Sequence, residues 1–88
     1  MLITADLIGI DRGLSMSVCN KLKQKFGLGR HQIAICTSHT HTGPVVARNL
    51  RPMHYALLDE EQQRRVDEYA SSLEEKIVGV VGLSLIHI

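Results

Sequence analysis

Two histidines separated by a single residue are the part of this sequence best suited to chemistry. His39 and His41 follow the apolar residues 33–36 and precede Gly43 and Pro44. On an extended backbone, alternate side chains point to the same face, so both imidazoles would reach one metal ion. Neutral imidazole is a common ligand of zinc. The spacing therefore predicts a metal site, and the alternative is a pair of surface or hydrogen-bonded histidines.

The residues around this pair predict a strand, a helix and a second strand. Residues 2–8 are mostly apolar, and residues 12–26 carry an apolar side chain at every fourth position and end before a glycine. Residues 32–37 are again mostly apolar. This order and length suit a parallel crossover, in which the carboxyl ends of both strands lie at one edge of the sheet. Open α/β sheets bind ligands at that edge.

The second half of the chain predicts a long loop followed by a helix. Residues 45–58 show no sustained periodicity, as expected for a functional loop. Asp59 is a suitable N-cap for an amphipathic helix over residues 59–81. We therefore expect an α/β fold: a parallel β-α-β unit, a long loop and a C-terminal amphipathic helix.

Composition restricts the class of protein. The 88 residues suffice for about one small domain, and with a net charge of +1 and 3% aromatic residues there is neither a basic stripe nor a stacking surface. We expect no nucleic-acid partner. No apolar stretch is long enough for a transmembrane segment, and no signal peptide is recognisable at the first residues. Cys19 and Cys36 are expected to be two buried free thiols.

The last six residues do not resemble natural coding sequence. Leu-Ser-Leu-Ile-His-Ile at residues 83–88 resembles the translation of a transposase adapter used in sequencing libraries. We therefore expect a partial domain over residues 1–82 with a non-native tail, and a helix that ends or frays near Val81. The alternative is a genuine apolar strand after Gly82.

Two motifs resemble a known family. Ala-Asp-Leu-Ile-Gly at residues 5–9 and Ile-Cys-Thr-Ser-His-Thr-His-Thr-Gly-Pro at residues 35–44 resemble the amino-terminal domain of the neutral/alkaline non-lysosomal ceramidases and their bacterial relatives. The resemblance covers residues 2–81. It implies a secreted or periplasmic Zn²⁺-dependent amidase that hydrolyses the N-acyl bond of ceramide. It further implies that His39 is a zinc ligand and that His41, beside the metal, is a catalytic residue that contacts the substrate or the zinc-bound water.

The chain departs from the family at several positions. The family usually continues His-Thr-His-Ser-Gly-Pro-Gly-Gly, whereas Thr42 replaces the serine here and Val45 and Val46 replace the two glycines. The bulkier loop is more similar to that of bacterial ceramidase-like proteins, so we expect a small-molecule or lipid-like amide as the substrate. The family's other zinc ligands, a histidine, a glutamate and a tyrosine, have no counterparts in the chain, and we expect these 88 residues alone to be inactive.

Other residues are candidates for supporting roles. Asp6 lies on the neighbouring strand and could accept a hydrogen bond from the second ring nitrogen of a ligand histidine, or simply cap backbone donors. Gly43, Arg48 and Arg51 are candidates for a substrate loop. The two arginines also leave a metallo-esterase or phosphoesterase open, because guanidinium matches phosphate. A non-enzymatic α/β interaction module is the third alternative.

Overall fold

The fold consists of a two-stranded parallel sheet and two helices, and the computed structural model describes residues 1–87 of it. Strand β1 spans Leu2–Ala5 and pairs in parallel with β2, Ala34–Thr37, with Leu2 opposite Ala34 and Ala5 opposite Thr37. Helix α1, Arg12–Phe26, connects them. The predicted parallel β-α-β unit and the coarse α/β class are confirmed, although both strands are shorter than predicted.

Helix α1 has clear signals at both ends. The Asp11 side chain accepts a hydrogen bond from the Leu14 backbone N–H, which satisfies a donor that the first turn leaves free. Gly27 ends the helix at φ 71°, a left-handed conformation that glycine adopts without a Cβ clash. Between these caps, α1 buries Val18 and Leu22 almost completely, so this helix supplies the centre of the core.

Helix α2, Glu60–Ile86, packs along α1. Asp59 and Gln62 form a capping box at its start. Ser17 donates a hydrogen bond to Glu74, and Lys21 pairs with the same carboxylate at 3.4 Å, which links the two helices.

The predicted end of this helix near residue 81 is wrong, because α2 continues to Ile86. Leu83 and Ile86 are exposed on it, at 60% and 76%, whereas Leu85 is half-buried against the core. The non-native origin of residues 83–88 stays a prediction.

The two faces of the sheet differ in burial. Ile3 and Ile35 pack against the core, whereas Leu2 and Cys36 point to the other face and are exposed. The prediction of two buried thiols is therefore correct for Cys19 only, because the alternation along β2 turns Cys36 outward. Neither helix within residues 1–87 is long and apolar enough to cross a membrane.

Candidate functional site

The two histidines lie just after β2, in a segment that still pairs with the chain leaving β1. Ser38 N–H donates to the Ala5 carbonyl at 3.1 Å, and His39 N–H donates to the Leu7 carbonyl at 2.9 Å. His39 itself has φ 63°, in the left-handed region. The expectation of an extended backbone is therefore wrong at this residue, because the pairing with Leu7 continues while the chain turns.

The turn nevertheless brings the two imidazoles together. The ring centroids of His39 and His41 are 4.8 Å apart and the ring planes cross at 82°, an edge-to-face arrangement. Both side chains are exposed to solvent. Residues 38–44, called the histidine segment below, thus present two neighbouring imidazoles at the carboxyl edge of the sheet.

One nitrogen of His39 is fixed by the backbone. Its Nδ1 lies 2.8 Å from the Ile8 carbonyl oxygen. A carbonyl can only accept, so Nδ1 is the donor, and in the neutral form of the ring this leaves the lone pair on Nε2. Ligand histidines in metal sites are typically held in this way, with one ring nitrogen donating to a carbonyl or carboxylate and the other binding the metal. The backbone therefore holds the His39 ring at Nδ1 and does not hold Nε2.

Asp6 does not have the predicted supporting role towards these histidines. Its side chain is exposed, and within residues 1–87 its carboxylate accepts no hydrogen bond. The Ile8 carbonyl takes the hydrogen-bonding role predicted for Asp6, since its oxygen lies 2.8 Å from Nδ1 of His39. Asp6 instead lines an open cavity of about 310 Å³ at the strand ends, together with Cys36 and Thr37.

A small cavity lies beside His41. Its volume is about 70 Å³, and it is lined by Ile8, Thr40, His41, Gly43, Pro44, Val45 and His54. The Nδ1 atom of His54 is buried and makes no hydrogen bond to any described residue. His54 lies in the loop predicted over residues 45–58. No spacing relates it to the histidine pair, so only the folded loop reveals that it lies beside His41.

Arg48 is held by the protein itself. Its guanidinium pairs with Asp67 at 2.8 Å and lies 3.7 Å above the centre of the Tyr55 ring. Tyr55 O–H also donates to Asp67, at 3.1 Å. Residues 46–57, called the anchored segment below, are thereby tied to α2. The predicted substrate contact by Arg48 conflicts with this pairing.

These contacts shift the pKa values of the three groups. The hydrogen bond from Arg48 lowers the pKa of the Asp67 carboxyl, since it stabilises the charged form. Burial raises the pKa of the Tyr55 hydroxyl, and the hydrogen bond to Asp67 adds to the rise. The hydrogen bond that Arg48 itself donates to Asp67 raises the pKa of Arg48. At neutral pH, the cluster is therefore a charged pair with a neutral phenol.

The other two residues of the predicted substrate loop are exposed. Arg51 forms no side-chain hydrogen bond or ion pair in the described part of the chain. Gly43 lines the cavity beside His41, where an added Cβ would contact the Thr40 methyl group at 3.4 Å. Of the predicted loop residues, Gly43 lies next to the histidines, whereas Arg48 is directed towards α2.

A surface groove of about 840 Å³ lies between the C-terminal parts of α1 and α2 and contains none of the predicted site residues. Its wall includes Leu83, Leu85 and Ile86. We therefore place the candidate site at the histidines, because of the chemistry of their side chains, and not at this groove.

The described residues fit only part of a zinc site. Imidazole is a suitable donor, and His39 has the correct nitrogen available. Within residues 1–87, however, no group of three or more histidine, cysteine, aspartate or glutamate side chains is placed to hold a metal ion. No family model, no curated protein and no solved structure matches the chain.

Proposed function

We propose that this chain supplies part of the metal site of a Zn²⁺-dependent amidohydrolase of the ceramidase type. The reaction is hydrolysis of an N-acyl amide bond in a small-molecule or lipid-like substrate. One observation carries the proposal: the Nδ1 of His39 is bonded to the Ile8 carbonyl, which leaves Nε2 as a metal ligand. The resemblance of residues 35–44 to the ceramidase motif supports it independently.

Three residues of the histidine segment, His39, His41 and Gly43, have a role in this proposal. His39 binds zinc through Nε2, and the Ile8 carbonyl fixes its ring orientation and tautomer. His41, whose ring meets that of His39 edge to face, is a second candidate ligand, or it contacts the substrate or the reacting water. A bound zinc ion polarises a carbonyl and lowers the pKa of its water to roughly 7. Gly43 adds no side chain to the small cavity beside His41 and so keeps it open.

The number of ligands determines what the 88 residues do alone. Catalytic zinc sites usually have three protein ligands, and the histidine segment offers two imidazoles. We therefore expect the chain to bind zinc weakly and to show no hydrolysis by itself, since metal affinity depends on ligand count and on a preformed site.

The contacts of Arg48 in the anchored segment weaken the phosphoesterase alternative. Its case rested on Arg48 and Arg51 as phosphate-binding guanidiniums. Arg48 is already paired with Asp67 and stacked on Tyr55, so binding a phosphate would require breaking that pair. Hydrolysis of an amide or ester carbonyl needs no such cation and is the better supported chemistry.

The test is zinc binding measured by calorimetry on the chain and on His39→Asn. Asparagine tolerates the left-handed conformation at this position, and its amide can still donate to the Ile8 carbonyl, but it lacks Nε2. We expect zinc affinity to fall by at least roughly tenfold, a loss typical of disrupted metal sites.

The control is His31→Asn, which changes an exposed histidine in the short helical turn Arg30–Gln32, away from the pair. This variant should bind zinc as the unmodified chain does. Equal affinity in the chain and in His39→Asn would contradict the proposal and favour the non-enzymatic module.

A further inference from the structure

The free edge of strand β1 is unprotected against pairing with another strand. Within residues 1–87 the sheet consists of β1 and β2, so each strand is paired on one side alone. Strand β1, Leu2–Ala5, carries no charge, proline or bulge, the features by which proteins usually protect such an edge. Its outer backbone groups are therefore available to a partner.

The hydrogen bonds to β2 show which backbone groups face outward. The Met1 carbonyl accepts a hydrogen bond from the Ala34 N–H of β2 at 2.9 Å. In a parallel strand, the N–H and C=O of one residue point to the same side, and successive residues alternate between the two sides. The odd-numbered residues therefore face β2, whereas Leu2 and Thr4 direct their N–H and C=O groups towards the free edge.

An apolar groove, called the edge groove below, runs along this edge between β1 and α2. Its volume is about 370 Å³, and its α2 side includes Leu73, Ile77 and Val80, of which Val80 is 65% exposed. The groove extends along α2 from Leu73 to Ser84, which is about 16 Å of helix. An extended segment of about five residues has the same length.

The edge groove exists because two helices cover a sheet of two strands. Helices α1 and α2 pack side by side against the face of the sheet to which Ile3 and Ile35 point. The axes of packed helices are about 8–10 Å apart, whereas neighbouring strands are about 4.8 Å apart. Helix α2 therefore extends beyond β1, and one more strand beside β1 would cover its exposed apolar side chains.

We propose that the edge groove binds an extended segment of another polypeptide, which adds to β1 as a third strand. Leu2 and Thr4 provide the backbone hydrogen bonds, and alternate side chains of the segment pack on Ile77 and Val80 of α2. This inference does not depend on the proposed hydrolase function.

The charge of the edge groove specifies the partner further. Lys76 lines the groove and forms no ion pair within residues 1–87, and no acidic residue of the described chain lines it. A carboxylate on the bound segment complements this ammonium group. The partner is thus an extended peptide that has apolar side chains at alternate positions and an acidic residue between them.

A second copy of the chain fits this edge less well. Antiparallel pairing of β1 with the β1 of another copy would keep the helices of both copies on the same face of the joined sheet. Because each α2 extends beyond its own β1, the two α2 helices would overlap when the strands approach to about 4.8 Å. A segment with no helix on that face avoids this conflict.

The test is an NMR titration of the 88-residue chain with the acetylated and amidated peptide Thr-Val-Glu-Val-Thr-Val. Before addition, amide hydrogen exchange should be fast at Leu2 and Thr4 and slower at Ile3 and Ala5, whose N–H groups face β2. The peptide should slow exchange at Leu2 and Thr4 and shift the methyl resonances of Val80.

Modified peptides test the backbone pairing and the charge. One control peptide carries N-methyl groups on its three valines, and a second carries them on its threonines and glutamate. At least one of them should lose binding, because one of these sets of N–H groups faces β1. Glutamine in place of the glutamate should weaken binding to the unmodified chain but not to Lys76→Gln. An equal effect on both chains would overturn the pairing with Lys76.

Two matched variants test the groove. Val80 is 65% exposed and lines the edge groove, whereas Leu83 is 60% exposed on the same helix and lines the other groove. Val80→Ser should weaken peptide binding by at least about threefold, since it removes apolar contact area. Leu83→Ser should bind the peptide as the unmodified chain does.

The inference would be overturned by equal peptide affinity in the two variants, by unchanged exchange at Leu2 and Thr4, or by full binding of both N-methylated peptides. Slow exchange at Leu2 and Thr4 without peptide, together with a dimer in analytical ultracentrifugation, would overturn it in favour of a second copy at this edge.

Discussion

The two halves of the connection between β2 and α2 use their polar side chains in opposite ways. In the anchored segment, Arg48 and Tyr55 both bond to Asp67, so their charges and hydrogen bonds are satisfied within the protein. In the histidine segment, His39 uses one ring nitrogen on a backbone carbonyl and leaves the other available. Residues that look equally suited to binding in the sequence therefore differ in the fold: some hold a loop in place, and others keep a group that can bind a ligand.

The anchored segment should carry most of the stability of the connection. Val46, at its start, is fully buried in the core, whereas its neighbour Val45 is half-buried. Val46→Ala should lower the free energy of unfolding by about 2 kcal/mol, since it removes two buried methyl groups and leaves a cavity. Urea denaturation of Val46→Ala and Val45→Ala measures the difference. Equal losses in the two variants would show that the loop is not anchored at Val46.

Truncation after Gly82 should leave both halves of the connection intact. Among the described residues 83–87, the half-buried Leu85 packs against the core and Leu83 and Ile86 are exposed, so the free energy of unfolding should fall by about 1 kcal/mol and solubility should rise. Circular dichroism, urea denaturation and a solubility assay check this expectation. A cooperative loss of structure on truncation would show that residues 83–88 belong to the fold.

Acid should weaken the anchored segment through Asp67. The folded-state pKa of Asp67 lies below its ordinary value of 3.8, mainly because of the hydrogen bond from Arg48. Its contribution is therefore present above pH 3.8 and is lost as the pH falls through the folded-state pKa. Because the pair of Arg48 and Asp67 is exposed, we expect it to contribute only about 0.5 kcal/mol to the free energy of unfolding.

Urea denaturation at neutral and acid pH compares the unmodified chain with Asp67→Asn. The variant should be less stable at neutral pH. Its free energy of unfolding should also fall less in acid, because it lacks the Asp67 carboxylate. Asp59→Asn is the control, since asparagine is also a good N-cap and the Arg48 pair stays in place. If acid lowered the free energy of unfolding equally in the unmodified chain and in Asp67→Asn, the pair of Arg48 and Asp67 would be excluded as a stabilising contact.

The architecture was predictable because its signals are local. The apolar runs near Ile3 and Ile35 and the regular apolar spacing around Val18 indicate two strands and a helix without reference to the rest of the chain. The end of α2 was not predictable in this way. Residues 83–86 contain no proline or glycine, and α2 runs on through them to Ile86, so their resemblance to an adapter gave no information about their conformation.

The site was predictable only in its residue types. The spacing of His39 and His41 indicated neighbouring imidazoles, but the left-handed turn at His39 depends on a hydrogen bond to Leu7, in another part of the chain. Backbone partners such as the Ile8 carbonyl carry no sequence signal, since every residue has a carbonyl. Contacts between distant residues, such as Arg48 with Asp67, are equally invisible before folding.

Nitrogen NMR of the His39 ring, recorded before and after addition of zinc, tests directly whether His39 binds zinc through Nε2. We expect Nδ1 to be protonated in both states, because it donates to the Ile8 carbonyl, and we expect zinc to shift the Nε2 resonance. The resonances of His31, which lies outside the site, should not change. Zinc binding through Nδ1, or His39 nitrogen resonances that zinc leaves unchanged, would contradict the proposed role of His39 as a zinc ligand through Nε2.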